Sequence, residues 1–166
     1  TMRIREIASG LQFPEGPVAM ADGSVLLVEI ARGTVTRVTA DGRTQVVGEP
    51  GGGPNGLAMG PDGHVYICNN GGFVWHRDGG LRPIGQAADY SGGRIERLNL
   101  ATGRIERVYD RVKTAAGADA GLRGPNDLVF DAYGGFWFTD LGKARPRDTD
   151  RGGIYYGRAD GSLLRE

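Results

Sequence analysis

Three polar residues that each follow a proline are the first candidates for chemistry in this sequence: Glu15, Asn55 and Asn126. When the three segments are aligned on their prolines, each has a glycine nine residues beyond the proline and a second polar residue fifteen residues beyond it. These second polar residues are Glu29, Asn69 and Asp140. Agreement at three separate offsets is hard to obtain by chance, so the sequence contains an internal repeat.

The first set of polar residues combines a carboxylate with two side-chain amides. Such oxygen donors suit Ca²⁺ and, with waters retained, Mg²⁺ or Mn²⁺. An asparagine after a proline is also a common turn former, and that alternative stays open for Asn55. Glu15 is a poor turn residue, and a carboxylate buried at a channel mouth needs a cationic partner, so a ligand role is favoured for it. The two histidines, His64 and His76, have no zinc-type spacing.

Each motif is followed by short strands with glycine turns between them. Asp22-Gly23 and Asp62-Gly63 separate apolar runs, which is a strong hairpin signal. No apolar pattern at helical spacing extends beyond two turns, so the sequence predicts an all-β fold. Four short antiparallel strands per unit, repeated every 40 to about 70 residues, are typical of propeller blades. The predicted blades span about residues 11–48, 52–110 and 122–166.

Propeller geometry would bring the motif residues together. The innermost strand of each blade begins near the mouth of the central channel, so Glu15, Asn55 and Asn126 are predicted to be neighbours. The second set of polar residues either lines the channel or caps the turn that follows each strand, and both alternatives stay open. Residues 70–92 form an insertion in the second unit, predicted to be a long loop or an additional hairpin.

Three blades do not close a ring, because propellers typically need four to eight. An open fan of sheets would expose apolar faces and unpaired edges. The sequence therefore predicts that the chain is one part of a longer propeller, or that two copies pair to give six blades. The expected partner is accordingly the C-terminal half of the propeller or a second copy of the chain.

Composition narrows the classes of partner. Lys plus Arg and Asp plus Glu both number 20, so nothing indicates binding to nucleic acid. No apolar run approaches 18 residues, and the first ten residues lack an apolar segment, so neither a membrane span nor an export signal is expected. Cys68 is the single cysteine, which favours a reducing compartment and a cytoplasmic location. Met2 is expected to be the natural start, with Thr1 left from an expression tag.

Three segments carry a resemblance to a known family: Phe13 to Pro17, Pro54 to Ala58, and Gly124 to Asp140. They resemble motifs of the SMP-30/gluconolactonase/LRE-like family, and the resemblance covers the chain from about Leu11 to its end. It implies a six-bladed propeller hydrolase, usually a lactonase, with one divalent metal at the channel mouth. The expected cation is calcium, with magnesium, manganese or zinc as alternatives.

The resemblance also implies roles for individual residues. Glu15 matches the family's first-blade metal ligand, and Asn126 matches a third-blade asparagine that binds the metal or the substrate lactone; both are predicted here as metal ligands. Asn55 and Asn69 would face the substrate, a small-molecule lactone. Asp127 is also predicted to bind the substrate, although its place beside an apolar strand favours a structural turn role over a catalytic one. The family's acid/base aspartate belongs to the fifth blade and would lie beyond the end of this sequence, so the catalytic residue is unknown.

The leading hypothesis is that the chain is the N-terminal half of a divalent-metal-dependent lactonase that acts on a sugar or related lactone. The alternative is a half-propeller that homodimerises into a six-bladed metal- or ligand-binding module without full catalytic activity. A third hypothesis is a scaffold that binds a protein or a ligand across its face and has no enzymatic role.

Overall fold

The computed structural model describes residues 3–166, so the prediction about Thr1 and Met2 lies outside the described residues. No helix occurs in this range, and the strands pair mainly antiparallel, which confirms the predicted all-β class. Within the same range, no helix is long and apolar enough to cross a membrane.

The first sheet has four strands in sequence order. They are β1 (Pro14–Ala19), β2 (Val25–Glu29), β3 (Thr34–Val38) and β4 (Thr44–Gly48). The turn between β1 and β2 forms where the Asp22 carboxylate accepts hydrogen bonds from the Ser24 amide at 3.0 Å and the Ser24 hydroxyl at 2.6 Å. Gly23 supplies the positive φ of 79° that this turn requires.

The second sheet repeats this order but contains the insertion. Its first two strands are β5 (Pro54–Met59) and β6 (Val65–Asn69). The insertion forms a separate hairpin of β7 (Phe73–His76) and β8 (Arg82–Gln86), which confirms the second of the two predicted forms. The sheet then continues with β9 (Arg94–Leu98) and β10 (Ile105–Tyr109).

The third sheet differs from the predicted four strands because a short hairpin is added to its outer edge. That hairpin consists of β11 (Arg111–Lys113) and β12 (Asp119–Gly121). The remaining strands are β13 (Pro125–Phe130), β14 (Gly135–Asp140), β15 (Gly153–Arg158) and β16 (Leu164–Arg165). Lys113 on β11 pairs in parallel with Arg165 on β16, so the sheet has six strands. A single residue pair joins the hairpin to β16, and β12 becomes the outer edge of the sheet.

Two hydrophobic clusters hold the three sheets together. The cluster between the first and second sheets includes Leu26, Val28, Val35, Leu57, Ile67 and Leu98. The cluster between the second and third sheets includes Tyr66, Cys68, Ile95, Leu128, Phe136 and Phe138. Neighbours on β6 alternate between the two clusters because successive side chains of a strand point to opposite faces. The packing places β1, β5 and β13 side by side, as the innermost strands of three successive blades.

Candidate functional site

The three polar residues that follow a proline lie together at one end of the innermost strands. Glu15, Asn55 and Asn126 line one pocket of about 160 Å³, together with Gly16 and Asp127. The Asn55 side chain donates from Nδ2 to Asn126 Oδ1 at 2.9 Å. The predicted proximity of the three residues is therefore confirmed, whereas their roles in binding stay predictions.

A backbone irregularity accompanies each of these residues. The pairing register shifts between Glu15 and Val18 in β1, between Pro54 and Gly56 in β5, and after Pro125 in β13. A bulge of this kind bends a strand and re-aims the side chains beside it. The repeated shift explains why a polar residue faces the pocket at the start of each of the three strands.

Glycines allow the innermost strands to approach closely beside the pocket. A Cβ atom added at Gly16 would lie 2.8 Å from the backbone oxygen of Asn55, and one added at Gly56 would lie 2.6 Å from that of Asn126. Neither contact leaves room for a side chain, because the obstructing atoms belong to the backbone. The third repeat has Asp127 at this position, and that side chain is exposed.

The second set of polar residues anchors the chain just before each proline. Glu29 Oε2 accepts from the Gln12 amide at 2.7 Å, and Asn69 Oδ1 accepts from the Gly53 amide at 3.0 Å. The Asp140 carboxylate accepts from the amides of the two residues that precede Pro125, at 2.8 and 2.6 Å. All three side chains are buried, so they fix the entry to each innermost strand.

The same residues settle the alternative between lining a channel and capping a turn for two of the three repeats. Asn69 Oδ1 also accepts from the Gly71 amide at 3.0 Å, and Asp140 Oδ1 from the Gly142 amide at 2.8 Å. Glu29 instead pairs with the Arg32 guanidinium at 3.0 Å. Capping is thus the observed role at the second and third positions.

Asn69 does not lie with the other predicted substrate-binding residues. Its side chain is fully buried, and its amide nitrogen donates to Gly51 O at 2.9 Å and to Glu96 Oε2 at 2.8 Å. With the bonds from Gly53 and Gly71, four hydrogen bonds occupy the amide. Its contact with substrate stays a prediction, and the described contacts give it a structural role.

Glu15 is exposed in the described residues, contrary to the burial on which the sequence argument for a ligand role depended. Glu15 is exposed because only the three innermost strands β1, β5 and β13 line the pocket, and no further strand of the described residues covers it. Asp127 is also exposed, and its Oδ1 accepts from the Leu128 amide at 2.9 Å. Neither carboxylate is therefore buried without a partner.

The donors around the pocket fit a hard divalent cation. They are the carboxylates of Glu15 and Asp127 and the amide oxygens of Asn55 and Asn126, with no imidazole or thiolate in the lining. One lone pair of Asn126 Oδ1 is occupied by the hydrogen bond from Asn55, which leaves the other for a ligand. Within residues 3–166 no three His, Cys, Asp or Glu side chains converge, so a complete acidic cage is not formed by these residues.

One residue near this end of the sheets had no signal in the sequence. Lys143 follows β14 in a charged segment, yet its side chain is only 3% exposed. Burial lowers the pKa of its amine to about 8, and the nearby charge of Asp140 partly opposes this. Sequence alone places such a lysine in solvent, and only the folded chain encloses it, between the carbonyls of Asn70 and Gly72 and the rings of Phe73 and Tyr90.

The sequence profile of the SMP-30/gluconolactonase/LRE-like region matches residues 13–165. The chain belongs to this family. A gluconolactonase from Zymomonas mobilis subsp. mobilis is 26% identical to it, over 96% of this chain and 44% of that protein. This member of the SMP-30/gluconolactonase/LRE-like family therefore spans about half the length of the relatives that it matches.

Solved structures share the fold. A gluconolactonase from Xanthomonas campestris superposes with a TM-score of 0.64 at 22% identity, over 93% of this chain and 46% of that one. A PQQ-bound aldose sugar dehydrogenase from Streptomyces coelicolor gives 0.58 at 22% identity, with 95% and 48% covered. A virginiamycin B lyase from Staphylococcus aureus gives 0.57 at 16%, with 94% and 41% covered. Since these proteins differ in activity, the likeness defines the fold alone.

Proposed function

We propose that the chain is the N-terminal half of a divalent-metal-dependent lactonase that hydrolyses a sugar or related lactone. Membership of the SMP-30/gluconolactonase/LRE-like family supports the reaction class. The observation that carries the proposal is the convergence of Glu15, Asn55, Asn126 and Asp127 on one pocket. These oxygen donors come together from three separate blades, up to 112 residues apart in sequence, and a set of hard oxygen donors is what a divalent cation needs.

In this proposal Glu15 and Asn126 hold the cation, and calcium suits an all-oxygen set best. When bound, such a cation would supply Lewis-acid polarisation of the lactone carbonyl and would make an attacking water more acidic. Asn55 acts through its hydrogen bond to Asn126, which fixes the direction of the Asn126 amide oxygen. The exposed carboxylate of Asp127 contacts the substrate hydroxyls. The acid/base group comes from the part of the propeller that this chain does not include.

The test is hydrolysis of glucono-δ-lactone by the complete protein, followed as proton release in weakly buffered solution. We expect activity that is lost after treatment with a chelator and restored by Ca²⁺. Glu15→Gln keeps the size of the side chain but removes its charge, so kcat/KM should fall by at least about 100-fold, the effect expected when a group that stabilises the transition state is lost.

Glu49→Gln is the matched control, because Glu49 is exposed and does not line the pocket. It should leave kcat/KM unchanged. A folded complete protein that hydrolyses no lactone, with or without divalent cations, would show that the proposal is wrong. Activity that survives both the chelator and Glu15→Gln would remove the metal from the mechanism.

An apolar surface on the third sheet bears on a second candidate function, that of a ligand-binding module formed by two copies of the chain. Val129, Trp137 and Ile154 share one face and are 62%, 47% and 61% exposed. A contiguous apolar face of this kind favours a covering partner. We propose the C-terminal half as that partner, and a second copy of the chain, forming a ligand-binding module, as the alternative.

Sedimentation of the 166-residue chain distinguishes the two partners. A second copy as partner predicts a dimer that dissociates in Trp137→Asp, because a buried charge is costly at an apolar interface. A stable monomer over the micromolar range excludes the homodimer and leaves the C-terminal half as the partner.

A further inference from the structure

The hairpin β7–β8 lies at the end of the sheets that holds the pocket. It follows β6, whose last residue, Asn69, pairs with Pro54 at the start of β5. The corresponding link in the first sheet is a short turn, so the hairpin is an addition to the repeat. Its contacts with the first and third sheets decide what it does.

On the side of the third sheet, Lys143 binds the base of the hairpin. Its amine donates to Asn70 O at 2.9 Å and to Gly72 O at 2.8 Å. It also lies 3.9 Å from the centre of the Phe73 ring and 5.2 Å from that of Tyr90. A buried ammonium is tolerated only when carbonyl groups and aromatic faces replace water in this way. The contacts join the segment after β14 directly to the hairpin.

On the side of the first sheet, Trp75 of β7 packs on Phe13. The centres of the two rings lie 5.0 Å apart, and Trp75 also contacts Phe73 edge-on at 5.9 Å. Phe13 has a φ of 58°, and in residues 3–166 no other residue except glycine has a positive φ. A bulky residue in this region is strained and persists only where its surroundings hold it. Trp75 provides that packing on Phe13, which lies two residues before Glu15.

The two ends of this chain of contacts are attached to the pocket through the backbone. The amide of Ile30 donates to Phe13 O at 3.1 Å, and the amide of Leu141 donates to Gly124 O at 2.9 Å. The amide of Asn70 makes the same bond to Gly53 O at 2.8 Å. Each bond ends on the residue immediately before a motif proline. The contacts of the hairpin therefore connect the starts of all three innermost strands.

We propose that the hairpin β7–β8 is a strap, held by Lys143 after β14 and by Phe13 before β1, that sets the spacing of Glu15 and Asn126. Lys143 and Trp75 are then positioning residues, which act through the backbone and touch neither metal nor substrate. This proposal rests on the proposed function, because that function identifies the pocket as the active site.

The first test measures hydrogen exchange in the complete protein and needs no activity. Lys143→Met keeps the length of the side chain but removes its donors, and should speed exchange about tenfold or more in residues 70–92 and also in residues 11–16. Lys113→Met is the matched control, because Lys113 is the only other lysine and is exposed on β11. It should leave both segments unchanged.

Trp75 gives a second pair of variants if Lys143→Met does not fold. Trp75→Phe keeps an aromatic ring against Phe13 and should retain slow exchange in residues 11–16, whereas Trp75→Leu should lose it. Folded Lys143→Met or Trp75→Leu proteins with unchanged exchange in residues 11–16 would overturn the strap, because a purely local role alters only the hairpin and its base.

The second test separates positioning from substrate binding. We expect Lys143→Met and Trp75→Leu to lower kcat for the lactone by roughly 10- to 100-fold with KM within about twofold, since small misplacements of reacting groups act on the chemical step. Trp75→Phe should recover most of kcat. A change confined to KM contradicts the proposal. If the wild-type protein hydrolyses no lactone, the proposed function fails, and exchange in residues 11–16 alone decides the strap.

Discussion

The two faces of the third sheet carry similar residues in opposite environments. Phe136 and Phe138 point toward the second sheet and are at most 1% exposed, whereas Trp137 between them points the other way and is 47% exposed. At the same repeat position, twelve residues after the proline, Leu26 and Tyr66 are fully buried between sheets. The repeat thus defines a face of each sheet for contact with the next blade, and this face is buried only where that blade packs against it.

The inner ends of the sheets show the same contrast. Gly16 and Gly56 lie where the next innermost strand comes within van der Waals distance of the backbone, whereas Asp127 occupies this position in the third repeat and is exposed. A side chain is accommodated there because no further strand of the described chain packs against it. The two contrasts together locate the open side of the structure at the third sheet.

The largest expected effect compares neighbouring aromatic residues of β14. Phe136→Ala should lower the free energy of unfolding by about 3–5 kcal/mol, as expected for an aromatic residue removed from a packed core. Trp137→Ala should cost less than about 1 kcal/mol in the 166-residue chain, as for exposed positions. Urea denaturation of both variants measures the difference. Equal losses would mean that the open face is already covered in solution.

A second comparison uses the last two residues of β14. Asp140→Ala removes the acceptor for three backbone amides and should cost about 1.5–3 kcal/mol, the range for hydrogen bonds to a charged group. Thr139→Ala, on the open face, should cost less than about 0.5 kcal/mol. Thermal and urea unfolding give both values. A small loss for Asp140→Ala would show that water replaces the carboxylate.

A third comparison concerns the close approach of the innermost strands. Gly56→Ala places a methyl group 2.6 Å from Asn126 O and should cost about 1–3 kcal/mol through displaced backbone. Asp127→Ala, at the same position of the next repeat, should change stability by less than about 0.5 kcal/mol. If Gly56→Ala were tolerated as well as Asp127→Ala, the contact between β5 and β13 would be looser than described.

The smallest effect at neutral pH involves Lys143. Burial lowers its pKa from 10.5 to about 8 in the folded protein. Between those pH values the unfolded chain holds a proton that the folded protein has released. The free energy of unfolding of the wild-type protein should therefore rise with pH relative to that of Lys143→Met. Below pH 8 the difference between the two proteins should be constant. Denaturation of both proteins from pH 7 to 10.5 tests this. If the free energy of unfolding of the wild-type protein fell with rising pH relative to that of Lys143→Met, folding would raise the pKa of Lys143 instead of lowering it.

Much of the fold could be predicted because its signals are local. Asp22-Gly23 and Asp62-Gly63 are hairpin turns in the structure, and the polar residues after Pro14, Pro54 and Pro125 do meet. A repeated motif fixes equivalent positions in equivalent strands, and symmetry then brings those positions together. For this reason the proximity of Glu15, Asn55 and Asn126 could be predicted from the sequence.

Other features could not be predicted because they depend on residues distant in sequence. The hairpin β11–β12 is too short to give an alternating pattern and gains its place by pairing with β16. Asn69 and the buried Lys143 have ordinary sequence surroundings, and their partners come from other segments of the chain. The exposure of Glu15 depends on how far the ring of blades extends.

The sequence by itself determined the repeated strands of the three units and the polar residue at the start of each innermost strand, because turn chemistry and alternation act over a few residues. Only the tertiary structure decided which polar groups are free to bind and which hold the backbone. Burial and hydrogen bonding depend on what packs against a residue, and for Glu29, Asn69 and Asp140 those partners are the amides that precede each motif.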